Sequence, residues 1–136
     1  DAKLGAQPVG SPLLEGTRLQ NSPIWQGSAS AQYDFTLPIT GFSSFLRADF
    51  SYYGWQWSNQ SSEPNPFFYV PARSTLNFRL GVAPTNGNWD VEFYVDNSLN
   101  REQIYGAQSF FGEPATNQAL VGRPRFMGFM VRYNWR

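Results

Sequence analysis

Ser74–Asp96, which reads STLNFRLGVAPTNGNWDVEFYVD, holds two runs in which apolar and polar residues alternate. Leu76, Phe78, Leu80 and Val82 interleave with Asn77, Arg79 and Gly81. Past a break, Trp89, Val91, Phe93 and Val95 interleave with Asp90, Glu92, Tyr94 and Asp96. Successive side chains of a β-strand point to opposite faces, so a period of two writes one apolar and one polar face. The break is Pro84-Thr85-Asn86-Gly87, whose Asn-Gly is expected to make a tight turn because both residues tolerate positive φ. The stretch is therefore read as a hairpin of two strands, Ser74 to Ala83 and Asn88 to Asp96.

Three further segments obey the same rule. Near Gln26 to Phe35, Ala29, Ala31, Tyr33 and Phe35 alternate with Ser28, Ser30, Gln32 and Asp34. From about Ser44 to Trp57, Leu46, Ala48, Phe50 and Tyr52 alternate with Arg47, Asp49 and Ser51, and the segment ends in the aromatic run Tyr52-Tyr53-Gly54-Trp55-Gln56-Trp57. Between Arg125 and Trp135, Met127, Phe129, Val131, Tyr133 and Trp135 alternate with Gly128, Met130, Arg132 and Asn134. Helical periodicity is hardly visible, and Pro and Gly punctuate the connections, so the chain reads as all-β without an internal domain boundary.

Connection lengths narrow the architecture. Short connections join strands one to two and three to four, whereas about Ser58 to Arg73 and about Asn97 to Pro124 form long ones. In an antiparallel up-and-down sheet, alternate connections emerge at opposite ends, so long loops collect at one rim. Transmembrane β-barrels show this asymmetry, and a Greek-key sandwich does not impose it. Tyr52, Tyr53, Trp55, Trp57, Trp89, Tyr133 and Trp135 fall near strand ends, where membrane-interface girdles are expected. The second and fifth segments also reach the roughly 9–11 residues that a tilted crossing requires.

Composition excludes much else. Aromatic residues make up 18% of the 136-residue chain and charged residues only 15%, where about a quarter charged is usual for soluble domains. The formal net charge is zero, so no basic field attracts nucleic acid. Without cysteine or histidine there is no thiolate site and no imidazole base or ligand. No run approaches the roughly 20 apolar residues of a membrane-spanning helix. Neither an initiating Met nor an apolar leader stands at Asp1, as expected of a segment of something longer.

The ordered segments resemble the end of a TonB-dependent outer-membrane receptor. The resembling stretches are Gly16-Thr17-Arg18-Leu19-Gln20-Asn21-Ser22-Pro23-Ile24-Trp25, then Leu46-Arg47-Ala48-Asp49-Phe50-Ser51-Tyr52-Tyr53-Gly54, then Leu76 to Val82, Trp89 to Asn100, and Gly122-Arg123-Pro124-Arg125 before the last strand. Each is weak alone; their order carries the likeness. It implies that residues 1–136 are the C-terminal part of a bacterial outer-membrane β-barrel, without the plug domain, contributing about five to six strands to a larger barrel. It also implies uptake of a scarce nutrient such as an iron chelate, cobalamin or saccharide, driven through an energy-coupling periplasmic protein that the N-terminal part would engage. One departure is that Trp135 is followed by Arg136, where such barrels commonly finish on the aromatic residue.

On this reading Arg47, Asp49, Arg79, Asp90, Glu92, Asp96 and Arg132 face the lumen, either along a solute path or as cross-strand ion pairs that fix register. Leu46, Phe50, Leu76, Phe78, Leu80, Val91, Phe93, Val95, Phe129 and Val131 face lipid. Phe67, Phe68, Tyr69, Tyr105, Phe110 and Phe111 lie in the long connections, where exposed aromatics either stack on a ligand or pack on a neighbour. Asp90, Glu92 and Asp96 share a strand face, but no calcium-loop pattern accompanies them, so no catalytic, metal or cofactor site is expected. Five strands are too few to close, and an open edge in lipid strands backbone groups at several kcal/mol each. The expected partners are outer-membrane lipid and either the remaining strands and plug of the same receptor or other chains of an assembly. Two alternatives stay open: a small structural outer-membrane subunit completed by copies of itself, and a soluble β-sandwich that binds carbohydrate.

Overall fold

Each of the five alternating segments is a strand in the computed structural model, which describes residues 2–11, 15–38, 41–59, 68–109 and 117–135. The strands are β1 (Gln26–Thr36), β2 (Phe42–Tyr53), β5 (Arg73–Pro84), β6 (Trp89–Asp96) and β9 (Phe126–Tyr133). They form one sheet in the order β1-β2-β5-β6-β9. Register follows the sequence pattern. Phe78 pairs with Val95, Leu80 with Phe93 and Val82 with Val91, while Val91 pairs with Val131 and Phe93 with Phe129. Apolar residues therefore share one face across strands, and a slip of one position would send all of them to the other face.

Side-chain and turn contacts set the remaining pairings. Leu37 N–H donates to Phe42 O at 3.2 Å, closing the β1–β2 hairpin. Thr85 N–H donates to Gly41 O, Ser43 Oγ to Ala83 O, and Ser51 Oγ meets Thr75 Oγ1, so β2 and β5 run antiparallel. With β5–β6 and β6–β9 antiparallel as well, β1 and β9 run in the same direction at the two edges of the sheet.

The Pro84–Gly87 turn departs from expectation. Gly87 N–H donates to Pro84 O at 3.2 Å, so Thr85 and Asn86 are the central residues, and neither Asn86 nor Gly87 has positive φ. Gly87 occupies the last turn position, where glycine is also favoured. The Asn-Gly pair was thus correctly placed in a turn but assigned the wrong mechanism.

Strand two is shorter than the aromatic run suggested. It stops at Tyr53 because Gly54 N–H turns aside to Trp25 O at 2.6 Å. Beyond it the long connections fold into pieces that alternation did not announce. β3 (Gln56–Trp57) pairs with β4 (Tyr69–Val70), and β7 (Ile104–Ser109) pairs with β8 (Asn117–Val121) with an irregularity between Ile104 and Gly106. Near the start, Lys3 bridges Arg18 antiparallel.

Two compact units can be told apart: Ser28–Ser51, Ser74–Arg101 and Arg123–Arg136 make the sheet unit, and Asp1–Gly27, Tyr52–Arg73 and Glu102–Gly122 make a loop unit. No helix among the described residues is long and apolar enough to cross a membrane, which leaves strand crossings unaddressed.

Candidate functional site

The sheet unit separates the two sets of candidate residues onto opposite faces. On one face, Leu46, Phe50, Phe78, Leu80, Phe93, Phe129 and Val131 are exposed, Phe93 by 44% and Phe129 by 74%. Leu76, Val91 and Val95 beside them are half-buried. Among the described residues the only buried hydrophobic side chain is Val70, in the loop unit. Within the described residues of the sheet unit no second layer covers this apolar face, and an exposed apolar area of this extent ordinarily marks an interaction surface.

The opposite face carries an ion-pair chain. Arg79 Nη1 donates to Glu92 Oε1 at 2.9 Å and Nη2 lies 3.7 Å from Asp96. Arg132 Nε donates to Asp90 at 2.9 Å, and its Nη2 reaches Glu92 at 3.4 Å. The order Asp96–Arg79–Glu92–Arg132–Asp90 crosses three strands with signs alternating. Arg47 instead pairs with Asp49 on its own strand at 2.7 Å. All seven polar candidates are engaged with one another in ion pairs. A concavity of about 370 Å³ touches Asp34, Phe45, Gly81, Glu92 and Arg132, one from each of the five strands. The sheet is therefore recessed at this place.

Two glycines on that side have a role that the alternation pattern did not assign. The Phe45 ring lies where a Cβ on Gly81 would stand, and a Cβ on Gly128 would lie 2.7 Å from the Tyr94 hydroxyl. Each ring covers the bare backbone of the neighbouring strand. The available signal was a glycine inside a strand pattern, which often marks close approach.

The loop unit is held by rings and cations. Trp55, Trp57 and Tyr69 pack with centroids 5.7–6.2 Å apart, and the Arg18 guanidinium lies 4.9 Å from the Trp55 ring. The Arg73 guanidinium lies 4.6 Å from the Tyr53 ring and 5.0 Å from the Tyr105 ring. Its Nε and Nη1 are buried without a hydrogen-bond partner. Of the six loop aromatics, Tyr69 and Tyr105 are exposed and Phe68 is half-buried; Phe67, Phe110 and Phe111 lie outside the described residues. Sequence reasoning grouped Tyr105 with the loop aromatics but missed Arg73, which it left at the end of a long connection.

A third cluster ties the end of β6 to its surroundings within the sheet unit. Asn97, buried and at φ 50°, accepts from Arg101 N–H at 3.2 Å and donates through Nδ2 to Arg101 O at 2.8 Å and Arg123 O at 3.3 Å. Its own N–H donates to Asn77 Oδ1 at 2.9 Å. Asn100 Oδ1 accepts from Arg125 N–H at 3.0 Å. Asparagine is suited to both tasks, because its amide bonds local backbone and tolerates this φ. Among the described residues no group of three or more acidic or other metal-ligating side chains could hold an ion. No known protein family, curated protein or solved structure matches the chain.

Proposed function

We propose that the chain forms wall and external loops of a bacterial outer-membrane transport barrel similar to the TonB-dependent receptors. The observation that carries this reading is the inverted distribution of side chains. An exposed apolar face runs across the sheet, and a recessed polar face with paired charges lies opposite. Hydrocarbon on one side and a wet interior on the other make both faces favourable at once. A sandwich would need a second sheet over Phe93 and Phe129, and none of the described residues supplies it.

Strand length and direction add to the case. β1, β2 and β5 run 11, 12 and 12 residues, long enough for a tilted crossing of a hydrocarbon core about 30 Å thick. Because β1 and β9 run the same way, a ring of like-oriented copies would set β1 of one beside β9 of the next in parallel. Inverted copies would send long connections to both sides of the membrane. Bacterial barrels are antiparallel with an even number of strands. Completion by an odd number of strands from elsewhere is thus favoured over copies of this chain alone. The transport assignment itself draws on the family resemblance and on the long connections gathered at one end of the strands.

Two tests apply. With no native cysteine, Phe129→Cys and Met130→Cys report opposite faces of one exposed strand. In lipid vesicles a bilayer-embedded quencher should reach a fluorophore at position 129 and spare one at 130, whereas a water-soluble thiol reagent should show the reverse preference. Equal labelling, or a folded monomer in detergent-free buffer, would overturn the membrane reading. The reading frame upstream of Asp1 should encode further alternating strands and a plug; a frame without them would overturn the receptor reading.

A further inference from the structure

We infer that the loop unit contains an oxyanion-binding site centred on Arg73, taking a carboxylate or phosphate group beside the rings of Tyr53 and Tyr105. It deepens the transport reading by naming the chemical class of the solute, and rests on that reading only for calling the bound group a solute.

The case starts from an unmet donor. Nε and Nη1 of Arg73 are buried and bond to nothing, and among the described residues no carboxylate pairs with it. Burying such donors without acceptors is costly, more so for a charged group. The Tyr53 and Tyr105 rings lie 4.6 and 5.0 Å from the guanidinium carbon and offset part of the cost through cation–π attraction. Ring faces cannot accept the in-plane N–H bonds. That edge is the geometry which carboxylate and phosphate oxygens match.

Tyr105 is placed for this contact by two separate devices. In the β7–β8 ladder Ile104 pairs with Val121 and Gly106 with Leu120, so Tyr105 is the extra residue of a bulge, the device that re-aims a side chain in a strand pair. Its ring then occupies the space above Gly122, where a Cβ would lie 2.5 Å from Tyr105 Cε2. A cavity of about 350 Å³ opens beside the same ring, lined also by Ser58, Asn21 and Gln118 but not by Arg73 or Tyr53. Tyr53 and Tyr105 are each about two-fifths exposed, so both rings border solvent.

The full chain in non-ionic detergent micelles is titrated with citrate and with inorganic phosphate, and equilibrium binding is measured. Saturable binding is expected, weakened about tenfold or more by Arg73→Gln, as loss of a charged hydrogen bond implies. Arg73→Lys should recover part of it, and Gly122→Ala should weaken it with the charge unchanged. In the unsubstituted chain the Arg73 15Nε resonance should shift on titration, a readout independent of whether Arg73→Gln folds. Micelles carrying phosphatidylglycerol form a second arm: an Arg73-dependent shift there, with none from citrate or phosphate, identifies a lipid headgroup as the source of the oxyanion. Binding that Arg73→Gln leaves unchanged, or an unmoved Arg73 resonance in every arm, overturns the site. Either result leaves the labelling pattern at positions 129 and 130 unaffected, so failure of the site and failure of the membrane reading are told apart.

Discussion

The sheet unit and the loop unit are built on opposite principles. The sheet is regular and among the described residues carries no buried apolar core, with hydrophobic side chains exposed on one face and charges paired on the other. The loop unit is irregular, yet it holds the one fully buried hydrophobic residue described, Val70, and packs rings against arginines. On the proposed membrane reading, periodic sequence is sufficient for the sheet because the surroundings would supply the apolar medium, whereas a unit in water must make its own interior from large side chains.

The largest effect that would break this comparison is a charge on the apolar face. Val131→Arg should destabilise the folded chain in vesicles by about 2–4 kcal/mol if residue 131 lies near the bilayer midplane, while Met130→Arg on the other face costs much less. Denaturant unfolding in vesicles measures both. Equal costs would place both faces in similar surroundings.

Next come the covered glycines. Gly81→Val must displace the Phe45 ring and should cost about 1–3 kcal/mol, the usual range for overpacking. Adding Phe45→Ala should return part of that loss in the same unfolding measurement. Additive losses would mean that ring and glycine are not coupled.

Asn97→Ala removes three side-chain hydrogen bonds from a residue at φ 50°, with an expected cost of about 1–3 kcal/mol. Asn97→Gly relieves the backbone strain and leaves only the lost bonds, so the two variants separate conformation from bonding. Amide exchange at Arg101 should accelerate in both. The smallest effect is expected at the ion-pair chain: Asp90→Asn should change stability by no more than about 1 kcal/mol, because Arg132 keeps Glu92 and remains more than half exposed. That change should shrink further at high salt.

The five main strands were legible in the sequence, with boundaries off by one or two residues, except that strand two was extended past Tyr53 into Trp55 and Trp57. Alternation says which side chains share a face, and Val91, Phe93, Val131 and Phe129 did align across β6 and β9. It is silent on what interrupts a strand, because the Gly54 bond to Trp25 O joins residues far apart in sequence. β3, β4, β7 and β8 escaped notice because two to six residues are too few to show a period. The candidate site was half visible. Tyr105 stood out as a loop aromatic, whereas Arg73 became informative only once a bulge had turned Tyr105 toward it.

By itself, then, the sequence determined that the chain is all-β, which residues share a face, and that the long connections collect at one end, since these follow from a two-residue period and from chain direction. Only the tertiary structure decided which charges pair, which rings cover Gly81, Gly128 and Gly122, and that Arg73 lies against two tyrosines with its Nε and Nη1 donors unmet. Those facts depend on strand register and on contacts between distant residues, and local pattern carries no information about either.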